Sequence, residues 1–270
     1  MEVVIIMKKL IIFAAQECAN GMTEVSILNS LFCVESVARD SNAVARVAKE
    51  HGYETYVYML HHYVHEKNKR YLGNYLEDCQ IVKDSELASV LAECDKAVLI
   101  GIPAMAGTVD AFSDRNYGNM WFDYKLNGER MGQMGMLKVL LAEYGIPVIA
   151  VLSGAKGVEE AQGLFDGVKS VVSVYNPYIC AGAWQCCSCN PPDEVREKLI
   201  NAVSDGLQKE WKAYEKWKFP IIAEVDYIRT DYCDIACVLN PNVKRLDARR
   251  ITWTIHCVKN LDDMITRGEE

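Results

Sequence analysis

The chain alternates short, almost wholly apolar segments with amphipathic ones, and this alternation most constrains its fold. The apolar segments are rich in β-branched residues and each ends in a polar loop, which is typical of buried strands. They are residues 8–15, 54–60, 96–102 and 147–153. Between them, apolar residues recur at helical spacing, as in 41–51, where Gly52 supplies a C-cap. Strands that alternate with helices imply a mostly parallel sheet covered on both faces.

The pattern changes near residue 190. Pro191 and Pro192 precede a long predicted helix, 193–217, and a final helix is expected from about Asn260. Between these two helices, three apolar segments indicate strands: "IIAEVDYI", "DIACVL" and "RITWTIHCV". The predicted fold class is therefore α/β, with a doubly wound, mostly parallel sheet over 7–190 and a smaller α+β domain over 191–270.

Charge and cysteine usage exclude several classes of protein. The net charge is −8, and the one basic cluster, 244–250, is short, so no nucleic-acid surface is expected. Eleven irregularly spaced cysteines cannot all pair and favour a reducing cytoplasm. No apolar run is long enough to cross a membrane. The run after Lys9 ends at Gln16, which favours a first strand over a signal peptide.

Ligand sites in open α/β sheets form beyond the carboxyl ends of the strands, which directs attention to the loops after residues 15, 60, 102 and 153. The second of these loops lies in "YVYMLHHYVHEKN" and holds His61, His62 and His65, three of the chain's five histidines. Imidazole is a common ligand of zinc. A metal site at this loop is the first hypothesis that the sequence raises.

A longer pattern runs through "KAVLIGIPAMAGT" and "NMWFDYKLNGERMGQMGMLKVLLAEYGIPVIAVLSGAKGVEEAQGLF", within residues 96–165. It combines a strand ending in a glycine-rich loop, an Asn127-Gly128 hairpin signal and a helix opened by a glycine. With the last segment, "DYIRTDYCDIACVLNPNVKRLDARRITWTI", this pattern resembles the zinc D-aminopeptidases of the dipeptide-transport-operon type. The resemblance covers about Lys9 to the end of the chain. It implies a doubly wound domain, a smaller second domain, a ring-shaped homodecamer and two zinc ions that serve hydrolysis of small peptides with N-terminal D-residues.

Carried over residue by residue, the resemblance leaves ligand-type side chains at Glu17 and His62. The other expected positions have changed: Ala15, Pro103 and Gln133 stand where ligands are expected, and Asp114 stands at the catalytic histidine. Alanine and proline have no side-chain donor, and two zinc ions need several anionic or imidazole ligands. The sequence therefore predicts that the family-type dizinc centre is not intact, because a retained scaffold does not carry function by itself.

Two catalytic alternatives remain open. In the first, Glu17 and His62 hold a single divalent metal, zinc being one candidate, with a further ligand from Asp110, Asp114, His61 or His65. In the second, no metal is present and Cys18 is a nucleophile beside His62 and Glu17. The simpler interpretation makes Cys18 a small buried apolar residue, since neighbours on an extended chain point in opposite directions.

Two further motifs carry weaker signals. The segment "CAGAWQCCSCNPP" holds Cys180, Cys186, Cys187 and Cys189, without a paired Cys-x-x-Cys, and reduced packing residues are favoured over a zinc knuckle or redox pair. The glycine-rich "SGAKGVEE" at 153–160 lacks the Walker and dinucleotide fingerprints and indicates a turn with a helix cap.

The function hypothesis is a divergent hydrolase that cleaves an amide or other C–N bond in a small amino-acid-like or peptide substrate. The protein is expected in the cytoplasm as a homo-oligomeric ring, for which the resemblance implies a decamer. The predicted catalytic residues are Glu17, Cys18, His62, Asp114 and Gln133, and the predicted substrate-binding residues are Asp110 and Asn116. Partners are a small molecule or short peptide, with no nucleic acid and no membrane. A non-catalytic ligand-binding ring and a metallopeptidase with a mononuclear site are the alternatives.

Overall fold

The computed structural model describes residues 7–21, 31–60, 72–118, 120–175 and 188–265. Its α-helices are α1 (Leu31–Glu50), α2 (Leu87–Leu91), α3 (Gln133–Tyr144), α4 (Ala155–Leu164), α5 (Pro192–Gln208) and α6 (Thr230–Leu239). Its strands are β1 (Lys8–Ala14), β2 (Tyr53–Met59), β3 (Cys79–Ile81), β4 (Lys96–Ile100), β5 (Trp121–Leu126), β6 (Glu129–Arg130), β7 (Val148–Ser153), β8 (Lys169–Val172), β9 (Val174–Tyr175), β10 (Ser188–Cys189), β11 (Ile221–Tyr227), β12 (Lys244–Arg245) and β13 (Arg250–Ile255).

The larger sheet is parallel throughout and has the strand order β3-β2-β1-β4-β7-β8. Alternate residues of β1 face opposite layers: Leu10 and Ile12 belong to a core with α1 and α5, whereas Ile11 and Phe13 belong to a core with α3 and the second sheet. Since both faces are buried, every residue of β7 is buried as well. The predicted α/β class with a doubly wound parallel sheet is confirmed.

The second sheet is antiparallel, with the order β12-β13-β11-β5-β6. Its β5-β6 hairpin turns at Asn127 and Gly128, whose φ angles of 49° and 83° are those of a type I′ turn. The hairpin signal read from the sequence is therefore confirmed. The β5-β6 hairpin precedes residue 190, yet it pairs with β11. Helix α5 follows residue 190, yet it packs on β7 and β8 of the parallel sheet. The division into domains at residue 190 stays a prediction.

Two predictions for the second half of the chain are wrong in detail. The predicted helix 193–217 ends at Gln208, where Lys96 Nζ donates hydrogen bonds to the carbonyl oxygens of Gly206 at 3.0 Å and Leu207 at 2.7 Å. Beyond it residues 209–220 form neither helix nor strand, and the Tyr214 hydroxyl accepts a hydrogen bond from Val148 N at 2.8 Å. These contacts come from the parallel sheet, so they have no signature in the local sequence.

The segment "DIACVL", predicted as a strand, lies in helix α6. Cys233 and Ala236 are buried on its inner face, and their three-residue spacing is helical. Ile235, Val238 and Leu239 are exposed, so the apolar run does not mark a buried strand. Short apolar runs do not distinguish strand from helix by periodicity alone.

Candidate functional site

The parallel sheet has its topological switch point between β1 and β4. From β1 the chain moves to β2 on one side, whereas β4 continues toward β7 on the other. Ligands of open α/β sheets bind at such a point, beyond the carboxyl ends of the strands. The loop that begins at Ala15 and the loop that begins at Gly101 meet here: Ala15 N donates to Ile100 O at 2.8 Å, and Cys18 N donates to Gly101 O at 2.9 Å.

Gly101 makes this close approach of the two loops feasible. Its φ is +72°, in the left-handed region that side chains rarely adopt. A Cβ at this position would lie 2.2 Å from the carbonyl oxygen of Ala15. The two backbones therefore meet at a distance that only glycine allows.

Glu17 is buried at this junction, with 3% of its surface exposed. Its Oε1 accepts a hydrogen bond from Arg115 Nη1 at 2.5 Å, forming an ion pair between the loops after β1 and β4. The side chain of Arg115 is 20% exposed. Arg115 N donates to Ala104 O at 2.9 Å, which anchors the backbone that carries the guanidinium.

The loop after β4 is folded on itself by its own polar groups. Asp114 Oδ2 accepts from Gly107 N at 2.7 Å, and Asn116 Oδ1 accepts from Ala106 N at 3.4 Å. Asp114 is exposed, whereas Asn116 is buried. Asp110 is also exposed and adopts a φ of 59°, a conformation that aspartate tolerates better than most residues. The structure thus places Asp110, Asp114 and Asn116 on one loop beside Arg115.

Gln133 is the first residue of α3 and is 2% exposed. Its Nε2 donates to the backbone oxygen of Asn116 at 3.1 Å, so the amide ties the helix N-terminus to the loop after β4. The contact is a structural use of the side chain at the position where the resemblance expects a ligand.

Cys18 turns away from Glu17. It is 1% exposed, it belongs to the apolar core with α1 and α5, and its Sγ would lie 3.2 Å from a Cβ placed on Gly154. Ser173 Oγ donates to the carbonyl oxygen of Cys18 at 2.9 Å. This placement favours the packing role of Cys18 over the nucleophilic one, because a nucleophile must reach the substrate.

Glu160 of α4 is a further acid at this end of the sheet. Its Oε2 accepts from Met105 N at 2.6 Å, and its Oε1 would lie 2.7 Å from a Cβ on Gly132, the residue before Gln133. Burial raises the pKa of Glu160 to about 7, against a lowering by the Met105 hydrogen bond. Sequence reasoning missed this residue, since its helix, "VEEAQGLF", gave no sign of which glutamate faces inward.

The raised pKa predicts a pH-dependent stability. Folding disfavours ionisation of Glu160, so its contribution to stability is fully present below the ordinary pKa of 4.5 and is lost as pH rises through about 7. E160Q should remove that loss and gain on the order of 2 kcal/mol relative to wild type between pH 5 and pH 8. Urea unfolding at pH 5, 6, 7 and 8 measures the difference, with the exposed neighbour E159Q as control. Parallel pH curves for wild type and E160Q would contradict it.

Several predicted residues lie outside the described part of the chain. They are His61, His62 and His65, together with Cys180, Cys186 and Cys187. Of the same cysteine motif, Cys189 is described and is half-buried on β10, beside Val174 of β9. The proposed roles of the histidines and of the cysteine motif stay predictions.

The described donors do not match a dinuclear metal centre. The side chains of Ala15 and Pro103 offer no donor atom, Gln133 supplies a neutral amide in place of a carboxylate, and Glu17 is paired with Arg115. Within the ranges that the structure describes, no three His, Cys, Asp or Glu side chains are grouped so as to hold a metal ion. A dizinc centre needs several anionic or imidazole ligands at each ion.

Comparison with known proteins relates this geometry to one family. The model of the D-aminopeptidase family, Peptidase_M55, matches residues 81–266, more than half of the chain. The solved structure of the Zn-dependent D-aminopeptidase DppA from Bacillus subtilis, described as a self-compartmentalizing protease, has a TM-score of 0.76. It is 14% identical, over 94% of this chain and 92% of that one, which shows the fold alone.

A second solved structure, the translation initiation factor eIF-2B from Pyrococcus horikoshii OT3, is also 14% identical. It covers 69% of this chain and 54% of that chain, with a TM-score of 0.27, too low to carry an argument. No curated protein matches the sequence.

Proposed function

Because the chain belongs to the D-aminopeptidase family, whose fold it has, we propose that it is a hydrolase that cleaves an amide or other C–N bond in a small amino-acid-like or peptide substrate, without the dizinc centre. The resemblance read from the sequence is confirmed at the level of family and fold. Substrate and reaction are the content of the proposal.

One observation carries the proposal of a metal-independent site, namely the ion pair between Glu17 and Arg115. The carboxylate stands where the resemblance expects a metal ligand, and a guanidinium supplies the positive charge beside it. A buried carboxylate needs such a partner, since an isolated charge away from water is costly. Removing a metal from an ancestral site would leave Glu17 uncompensated, and Arg115 supplies that compensation from within the chain.

In this proposal, water is the nucleophile and Asp114 is the general base. Asp114 is exposed at the mouth of the site and its Oδ2 is oriented by Gly107 N. Its carboxylate takes a proton from water while the water oxygen bonds to the substrate carbon. The C–N bond then breaks and the proton passes to the leaving nitrogen. Gln133 and Asn116 position the loop through the bond between them. His62, predicted beside Glu17, remains a candidate in the same role.

The proposal extends to assembly and location. DppA is described as self-compartmentalizing, and we propose that this chain likewise forms a homo-oligomeric ring, as the family resemblance implies. No helix in the described part of the chain is both long and apolar enough to cross a bilayer. A net charge of −8 and eleven cysteines support a cytoplasmic protein that does not bind nucleic acid.

The residues of the candidate site also distinguish the proposed hydrolase from two alternative functions, a ligand-binding ring and a mononuclear metallopeptidase. A non-catalytic ring that binds a small ligand would tend to fill the former catalytic pocket, whereas polar Asp114 and Gln133 stand at two of the changed positions and favour a working site. A mononuclear metallopeptidase requires Glu17 as a ligand, and Arg115 competes with any cation for that carboxylate.

The test offers the purified protein a panel of D- and L-amino-acid amides and dipeptides, with and without a chelator. Turnover is measured as the release of product. Activity should survive the chelator, and D114N should lower kcat/KM by about 100-fold or more, because general-base catalysis typically contributes 10²–10⁴-fold. E197Q, an exposed acid on α5, is the control. About two zinc per chain, with activity lost on chelation, would overturn the metal-independent site. Ligand binding without turnover would establish the binding ring instead.

A further inference from the structure

The guanidinium of Arg115 is only partly used within the described chain. It is planar and offers N–H groups along two edges: an end-on edge from Nη1 and Nη2, and a side-on edge from Nε and Nη2. Glu17 takes one bond, from Nη1. On the side-on edge, Arg115 Nε is a buried donor with no acceptor among the residues that the structure describes.

A buried donor without an acceptor is costly, so an arrangement that leaves one is informative. Asn116, the next residue, adds a second: its Oδ1 accepts from Ala106 N, while its Nδ2 is buried and has no acceptor among the described residues. The loop after β4 therefore holds two uncommitted N–H donors at the switch point of the sheet. Both call for an oxygen acceptor.

From this geometry we infer that the side-on edge of Arg115 binds the carboxylate of the ligand. This inference rests on the proposed function and names its substrate class: small molecules that carry a carboxylate, such as amino acids, their conjugates and short peptides. A carboxylate has two parallel oxygens whose spacing matches Nε and Nη2, so it accepts two bonds at once. The Arg115 side chain is 20% exposed, so part of it is accessible to such a ligand.

Glu17 has a defined part in this recognition. Its bond to Nη1 fixes the guanidinium plane and leaves the other edge available, so less side-chain entropy is lost when a ligand binds. Glu17 is therefore a positioning residue for Arg115.

Lysine at position 115 isolates the contribution of the side-on edge. R115K retains a positive charge beside Glu17 but lacks the planar fork. The matched control is R46K, because Arg46 makes an ion pair of the same length, 2.5 Å, with Glu77 on the exposed surface.

The experiment is calorimetric titration of the full chain with D- and L-alanine, with the corresponding alaninols, which lack the carboxylate and cannot be hydrolysed, and with inorganic phosphate. Alanine of at least one hand should bind at least ~10-fold more tightly than its alaninol, and R115K but not R46K should abolish that preference, since charge-assisted bidentate bonds are worth this much. Equal binding of alanine and alaninol, no binding of alanine, or binding of phosphate as tight as that of alanine would each overturn the inference.

Failure here and failure of the proposed function give different results. Turnover of amides with no preference for a carboxylate leaves the hydrolase standing and removes this recognition. A carboxylate preference that R115K abolishes, without turnover of any amide, leaves the recognition standing and removes the hydrolase.

Discussion

Replacing Arg115 with methionine should lower the free energy of unfolding by about 3 kcal/mol, because it leaves the carboxylate of Glu17 buried without its cationic partner. The side chain of Glu17 is 4% exposed, so water cannot take over the role of the guanidinium. The double variant E17Q/R115M should recover most of the loss, since it removes both charges together. A double-mutant cycle by urea unfolding measures the coupling, for which we expect about 2 kcal/mol or more.

R46M is the matched control for this cycle. Arg46 and Glu77 form an ion pair of the same length, but their side chains are 58% and 66% exposed, and exposed pairs contribute less than about 1 kcal/mol. The comparison therefore varies burial for the same pair of residue types, with the difference that Arg46 Nε also lies 3.6 Å from Asp78 Oδ2. A loss in R115M no larger than that in R46M would mean that Glu17 does not depend on Arg115, and the proposed replacement of metal charge would fail with it.

Replacing Gly101 with alanine should cost about 3 kcal/mol or more and should disrupt the site. The new methyl group would lie 2.2 Å from the carbonyl oxygen of Ala15, and this oxygen belongs to the backbone and cannot move aside alone. The left-handed φ of +72° adds about 1–2 kcal/mol of backbone strain. Relief requires the loops after β1 and β4 to separate, which also displaces Glu17 from Arg115.

A variant of Gly128 separates the cost of backbone strain from the cost of the steric contact. The φ of Gly128 is +83°, but nothing lies within 4 Å of a Cβ placed there, so G128A should show the backbone strain alone. Urea unfolding of both variants measures the difference, and alanine titration reports whether the site survives. If G101A lowered the free energy of unfolding no more than G128A does, the close contact with Ala15 would not be what restricts position 101 to glycine.

Periodicity and composition predicted the fold well where burial is continuous. Most residues of the strands β1, β2, β4 and β7 are buried, so these strands are mainly apolar and recognisable in isolation, although β1 and β4 begin with lysine and β2 contains Glu54 and Thr55. The Asn127-Gly128 turn was equally recognisable, because a type I′ turn restricts the residues that fit it.

Prediction was poor where distant contacts decide the conformation. The end of α5 at Gln208 depends on Lys96, which begins a strand more than a hundred residues earlier along the chain. The helix α6 depends on burial of Cys233 and Ala236, while Ile235, Val238 and Leu239 remain exposed. Neither fact is visible in a local window of sequence, because local propensities there are weak.

For the candidate site, too, some features were predictable from the sequence and others were decided only by the tertiary structure. The sequence by itself determined the parallel sheet, the loops at its carboxyl edge, the positions Glu17, Asp114 and Asn116 on those loops, and Gln133 at the start of a helix, since these follow from the alternation of strands and helices and from the resemblance. Only the tertiary structure decided how they are used. Glu17 and Arg115 are 98 positions apart, and their pairing follows from the adjacency of β1 and β4. Burial then turns that pairing into an energetic necessity, because a carboxylate withdrawn from water must meet a positive charge.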